Sequence, residues 1–158
     1  MTPGTAAREA DGWQPAPRGV ADLGMVVLDR WRLLRQADRD GCLEAEGEVA
    51  VRGDEPLLQA HFPGVPIYPG VLMLETVGQL AMAALGMPVV LDEVRSVRFY
   101  APVLGGDGLR VTATLQPEGG SAFGVTATGF RQDGVTAFAV RGRWSGGPWS
   151  ESIGHAQQ

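Results

Sequence analysis

The strongest constraint on the fold is a change of hydrophobic period near residue 86. From Val71 to Leu85 the chain is apolar except for Glu75, Thr76, Gly78 and Gln79, contains no proline, and meets Gly86 and Pro88 as stop signals. That pattern predicts one long buried helix. Afterwards the period falls to two: Val97, Phe99, Ala101 and Val103, then Val111, Ala113 and Leu115, then Phe123, Val125 and Ala127, and finally Val135 to Trp144. Gly105-Gly106-Asp107-Gly108, Glu118-Gly119-Gly120 and Asp133-Gly134 separate these runs, and they predict antiparallel hairpins. The expected class is α+β, with a curved antiparallel sheet wrapped around one central helix.

Before the helix, Leu43, Ala45, Val49 and Val51 alternate with Glu44, Glu46 and Glu48 as in a half-buried strand whose glutamates form a solvated face. Met1 to Arg18 has three prolines and no period, so residues 1–18 are expected to be a mobile leader. Residues 19–145 should form a single domain and 146–158 a flexible tail. A chain of 158 residues that is 44% hydrophobic and 20% charged has material for one core.

Several function classes drop out on composition. Thirteen basic against 18 acidic residues leave a net charge of −5, and Asp29 and Asp38 are the expected neutralising partners of the arginines between Arg30 and Arg39, so no nucleic-acid face is expected. Cys42 stands alone beside His61 and His155, which is too little for a disulfide or a metal cluster, and no metal or cofactor is expected. The apolar helix falls short of the ~20 residues a membrane span needs and carries a central carboxylate. No secretory signal core precedes the domain, so the expected location is cytoplasmic.

Chemistry concentrates in the stretch DEPLLQAHFPGVPIYPGVLMLETVGQLA, residues 54–81. Between His61 and Gly70 the prolines and glycines exclude a helix and stiffen a loop that ends at the helix N-terminus. Glu75 is a lone carboxylate on an apolar helix, costly unless paired or used, and Gln79 lies one turn on, where its amide can orient that carboxylate.

The motif HFPGxPxxPGVLxxE with its following Gln resembles the 3-hydroxyacyl-acyl-carrier-protein dehydratases of bacterial fatty-acid synthesis, the FabZ and FabA type. Leu28-Asp29-Arg30, Asp54-Glu55-Pro56, Val97-Arg98-Phe99, Pro102-Val103 and Gly106-Asp107 resemble further blocks of that family, so the likeness runs from about Met25 to Trp144. The resemblance implies the hotdog fold, a long helix wrapped by a sheet, dimerised so that two sheets become continuous. It implies His61 and Glu75 as the catalytic pair, one from each subunit, and Gly70 as the residue whose backbone N–H faces the thioester carbonyl. Val71, Gln79, Tyr68 and Phe62 are the implied substrate-binding neighbours.

Dehydration of a 3-hydroxyacyl thioester needs a base at C2 and an acid at the leaving hydroxyl, which a histidine and a raised-pKa glutamate supply without a cofactor. The implied partners are an acyl carrier protein and a second hotdog chain, identical or different. Fatty-acid or polyketide assembly is the implied setting. Glu at position 75 resembles the branch that only dehydrates. Three features depart from the family pattern. Its PHRxPF segment is absent around Pro17 to Met25, Tyr68 replaces the usual Met or Phe, and Tyr100 and Ala101 occupy positions that are often basic. Arg95 and Arg98 are then the expected carrier-docking cations. The alternatives are a hotdog acyl thioesterase and a non-catalytic subunit of a heterodimeric dehydratase.

Overall fold

The computed structural model describes residues 12–17, 27–52, 58, 64 and 67–146. His61 and Phe62 lie outside the described residues, as do residues 1–11 and the tail from residue 147 onward.

The helix forms where the apolar run sits. Helix α1 spans Gly70–Leu85, and Leu72, Met73, Val77, Leu80, Ala81 and Met82 on it are buried. It ends because Gly86 takes a left-handed φ of 69°, which costs a glycine nothing, and donates its N–H to the Met82 carbonyl at 2.9 Å. Among the described residues seven strands surround it: β1 (Gln14–Pro15), β2 (Arg30–Arg35), β3 (Leu43–Ala50), β4 (Val90–Phe99), β5 (Gly108–Pro117), β6 (Ala122–Arg131) and β7 (Thr136–Ser145). They make one open antiparallel sheet in the order β1-β2-β3-β5-β6-β7-β4. Strict alternation on β3, β5, β6 and β7 turns Ala45, Val49, Val111, Leu115, Val125, Phe138 and Val140 toward α1, and together with the helix they build the core. Trp144, 2% exposed, packs against the helix at Gly78.

Two expectations about the strands are corrected. The β5–β6 and β6–β7 connections are hairpins, the latter turning at Gly134 (φ 86°), but β4 and β5 do not pair. Gly105 to Asp107 instead belong to a crossover, because β4 takes the far edge beside β7 while β5 pairs with β3. The strand expected around Val97 to Val103 begins at Val90 and stops at Phe99, where Tyr100 and Ala101 both donate to the Ala137 carbonyl and the chain bends toward Pro102.

The expected solvated face of β3 is an ion-paired one, with Glu46 buried and Glu44 still partly exposed to solvent. Glu46 is 4% exposed, held by Arg32 at 2.8 Å and Arg110 at 3.2 Å, while Glu48 meets Arg30 at 2.6 Å and Arg110 at 2.7 Å. The arginines of β2 are thus neutralised across the strand by Glu44, Glu46 and Glu48, whereas Asp29 and Asp38 accept backbone N–H groups. Burial pushes the Glu48 carboxyl up, but the hydrogen bonds and charges of Arg30 and Arg110 outweigh it and hold the group below its usual range. Its contribution to stability is therefore present above its unfolded pKa and fades as pH falls through the folded one.

Within the expected leader, Gln14 and Pro15 pair with β2, and Trp13, 5% exposed, lies under the guanidinium groups of Arg30 and Arg32 at 4.3 and 4.6 Å.

Candidate active site

The helix N-terminus is built by the chain entering it. Tyr68 donates its N–H to Val103 at 2.7 Å, and Pro69, with φ −66° and ψ 145°, sets the extended turn that starts the helix. The N–H groups of Leu72 and Met73 bond the Pro69 carbonyl at 3.0 and 3.3 Å. Those of Gly70 and Val71 have no acceptor among the described residues. Among the described residues no side chain caps this end, and no acidic residue stands in its first turn to meet the positive end of the helix dipole. Gly70 is required by packing as well. A Cβ there would lie 2.6 Å from the tip of the Phe99 ring, so only glycine lets that ring close over the helix start.

A cavity of about 320 Å³ opens at this end, lined by Tyr68, Gly70, Met73, Phe99, Tyr100 and Pro102 among others. The Tyr68 hydroxyl is buried 3.2 Å from the Thr76 hydroxyl, which itself donates to the Leu72 carbonyl at 2.7 Å. Val71, by contrast, is 60% exposed. A second hollow of about 770 Å³ lies elsewhere, among Asp29, Glu48, Ala50, Arg110 and Phe130, and shares none of these lining residues.

Glu75 stands five residues beyond Gly70, about 7.5 Å along the axis at 1.5 Å per residue. It is half-buried, and Gln79 donates to its Oε1 at 3.2 Å. The Gln79 amide cannot turn over without loss, because its own Oε1 accepts the N–H groups of Val27 and Leu28 at 3.0 and 2.9 Å. With the acceptor end so engaged, the donor end faces Glu75. The Glu75–Gln79 contact follows from helical spacing, whereas the clamp from residues 27 and 28 comes from the far end of the chain and had no local signal. Replacing Gln79 by leucine should orphan the buried N–H of Leu28, at a cost of about 1–3 kcal/mol, and the part-buried N–H of Val27 at a smaller one. A lower unfolding midpoint together with a reduced kcat at unchanged KM is the expected result, checked by denaturant melts and steady-state kinetics.

Of the two expected docking cations, Arg95 is held in a two-pronged pair by Glu118 at 2.5 and 2.7 Å and also meets Glu93 at 3.3 Å. Arg98 is exposed. Among the described residues no group of three or more His, Cys, Asp and Glu side chains could hold a metal ion, and no helix is long and apolar enough to cross a membrane.

A long helix cradled by an open antiparallel sheet is, among the described residues, the architecture of a hotdog-fold domain. The family model for the ApeI-like dehydratases matches residues 36–136. The chain belongs to that family. It is 35% identical over 104 residues to the 3-hydroxyacyl-[acyl-carrier-protein] dehydratase FabZ of Syntrophobacter fumaroxidans, covering 61% of this chain and 71% of that one. The FabZ of Chloroflexus aggregans is 42% identical over 81 residues, 47% of this chain and 56% of its own, so the match spans little more than half of that relative. In fold the chain resembles the dehydratase heterocomplex ApeI:P of Xenorhabdus doucetiae, with a TM-score of 0.60, 19% identity, and coverage of 77% of this chain and 99% of that one.

Proposed function

We propose that the protein removes water from a 3-hydroxyacyl thioester carried on an acyl carrier protein, giving the trans-2-enoyl thioester, in the cytoplasm and without a cofactor. The setting is fatty-acid or polyketide assembly. The observation that carries this reading is the carboxylate of Glu75, held by a clamped glutamine on an apolar helix whose first N–H groups, without an acceptor among the described residues, head a cavity.

The roles follow from the chemistry. His61 takes the C2 proton, and the electrons of that C–H bond become the C2–C3 double bond. The C3–O bond breaks, and Glu75 gives its proton to the departing hydroxyl so that water leaves. The Gly70 N–H, at the positive helix end, receives the negative charge that develops on the thioester oxygen. Val71, Tyr68 and Phe62 line the acyl path, and Gln79 keeps the Glu75 carboxyl aimed.

The working unit is a dimer, with His61 and Glu75 of each site supplied by different subunits. The form of β4 supports this. It is a ten-residue edge strand with no partner on its outer side among the described residues, and it exposes Leu91, Val94, Val97 and Phe99. A long apolar edge of that kind is a template for another strand, and a second copy of β4 would extend the sheet. The test is a paired assay of purified protein on a 3-hydroxyacyl pantetheine thioester, following enoyl absorbance and free thiol together. Enoyl formation with the thiol retained is expected. Thiol release without enoyl would make the protein an acyl thioesterase.

A further inference from the structure

Four arginines stand on β4 and β7, and the structure divides them into two kinds. Arg95 is held by Glu118 and Glu93, and Arg143 by Asp92 at 2.7 Å and Glu93 at 3.3 Å. Arg98 and Arg141 are both exposed, and neither forms an ion pair among the described residues.

Strand register puts these two side by side. Ser96 pairs with Arg141 and Arg98 with Ala139, so Arg98 and Arg141 are diagonal neighbours on one face, about 7–8 Å apart. That face is turned away from α1, because Phe138 and Val140, which alternate with Ala139 and Arg141, are buried in the core. The residues around them are short. Thr126 lies opposite Arg141 and Thr128 opposite Ala139 on the neighbouring strand, so both guanidinium groups stand above a low shelf. Arg98 also directly precedes Phe99, whose ring lies over Gly70 and lines the cavity at the helix start. The cationic shelf and the wall of the candidate site thus occupy opposite faces of the same strand.

We propose that Arg98 and Arg141 together form the docking surface for an acidic carrier protein, with Arg141 taking the place that Arg95 cannot fill. This rests on the carrier-dependent dehydration proposed above. A chain of net charge −5 repels an acidic partner at long range, so recognition must come from a local patch of cations, and these two carry no ion pair among the described residues. Guanidinium groups suit that task, since each presents a planar fork of donors to a carboxylate. Two arginines on an otherwise acidic protein are too few for a nucleic-acid face.

The test compares Arg141→Glu, Arg98→Glu and Arg141→Lys on the same 3-hydroxyacyl group, presented either on the bacterial fatty-acid acyl carrier protein or on pantetheine. Arg35→Glu, an equal change of charge on the same face but on β2, controls for net charge. Fluorescence anisotropy of labelled holo-carrier reads docking without turnover. Either glutamate variant should lose roughly tenfold or more in carrier affinity and carrier-substrate kcat/KM at low salt, with the loss shrinking at high salt. Pantetheine turnover should stay unchanged, Arg141→Lys should keep most of the binding, and Arg35→Glu should have little effect.

Equal losses on both substrates, or full carrier binding by Arg141→Glu, would overturn the docking site. No binding by the unsubstituted protein would overturn it too. Failure of the unsubstituted protein to dehydrate either substrate, with carrier binding still lost in Arg141→Glu, would instead sink the proposed activity and leave the docking site standing.

Discussion

Glu75→Gln is expected to lower dehydration by about 10²–10⁴-fold while leaving the fold intact, and His61→Ala should do the same. Glutamine matches glutamate in size and still offers an oxygen to the Gln79 amide, so the clamp from Val27 and Leu28 through Gln79 keeps its shape. What is lost is the proton for the leaving hydroxyl. His61→Ala removes the base at C2 instead. Steady-state rates on a pantetheine thioester, with circular dichroism to check the fold, measure both variants. A rate near that of the unsubstituted protein in either one would remove that residue from the chemistry.

The second large effect is a recovery. If each site takes His61 from one subunit and Glu75 from the other, the two inactive variants should complement each other. A hybrid dimer has one site that lacks both groups and one site that has both, so half of its sites work. Mixing the two proteins under conditions that exchange subunits should raise activity far above either alone, with native mass spectrometry reporting the fraction of hybrids. Hybrids without recovered activity would place both groups within one chain. The exposed apolar edge of β4 is the surface through which such exchange would pass, and a charged substitution at Val94 or Val97 offers a way to block it.

The helix could be read from sequence because each of its signals is local. Its apolar run, its Gly86 stop and the i, i+4 spacing of Glu75 and Gln79 need no knowledge of distant residues. What was misread depends on partners far away in sequence. Alternation on β3 shows that Glu44, Glu46 and Glu48 share a face, but the arginines pairing with that face belong to β2 and β5, and only the register of three strands reveals an ion-pair layer that buries Glu46. The glycine cluster before β5 marks a change of direction without saying whether the flanking strands pair. The first half of β4 was missed for a different reason: two register irregularities near Asp92 and Arg95 break its alternation, and an exposed edge has no buried face to reveal. Arg141 escaped notice because nothing local sets it apart. Its meaning comes from lying diagonal to Arg98 across a strand pair, and from the carboxylates that hold Arg95 and Arg143 but not these two.

The site is split in the same way. Gly70 and Tyr68 stand at the helix start and line one cavity, whereas Glu75 and Gln79 lie further along the helix, outside that lining, as a hydrogen-bonded pair. His61 and Phe62 lie outside the described residues, so their roles rest on the motif they share with the dehydratases and on the experiments above.

Elimination of water from a 3-hydroxyacyl thioester leaves a mass signature, read by mass spectrometry of a 3-hydroxyacyl pantetheine thioester after incubation with the purified protein. The expected product is lighter by one water, keeps its thioester, and does not form with Glu75→Gln. A free acid with released pantetheine, or an unchanged substrate under conditions where the protein is folded and dimeric, would contradict it.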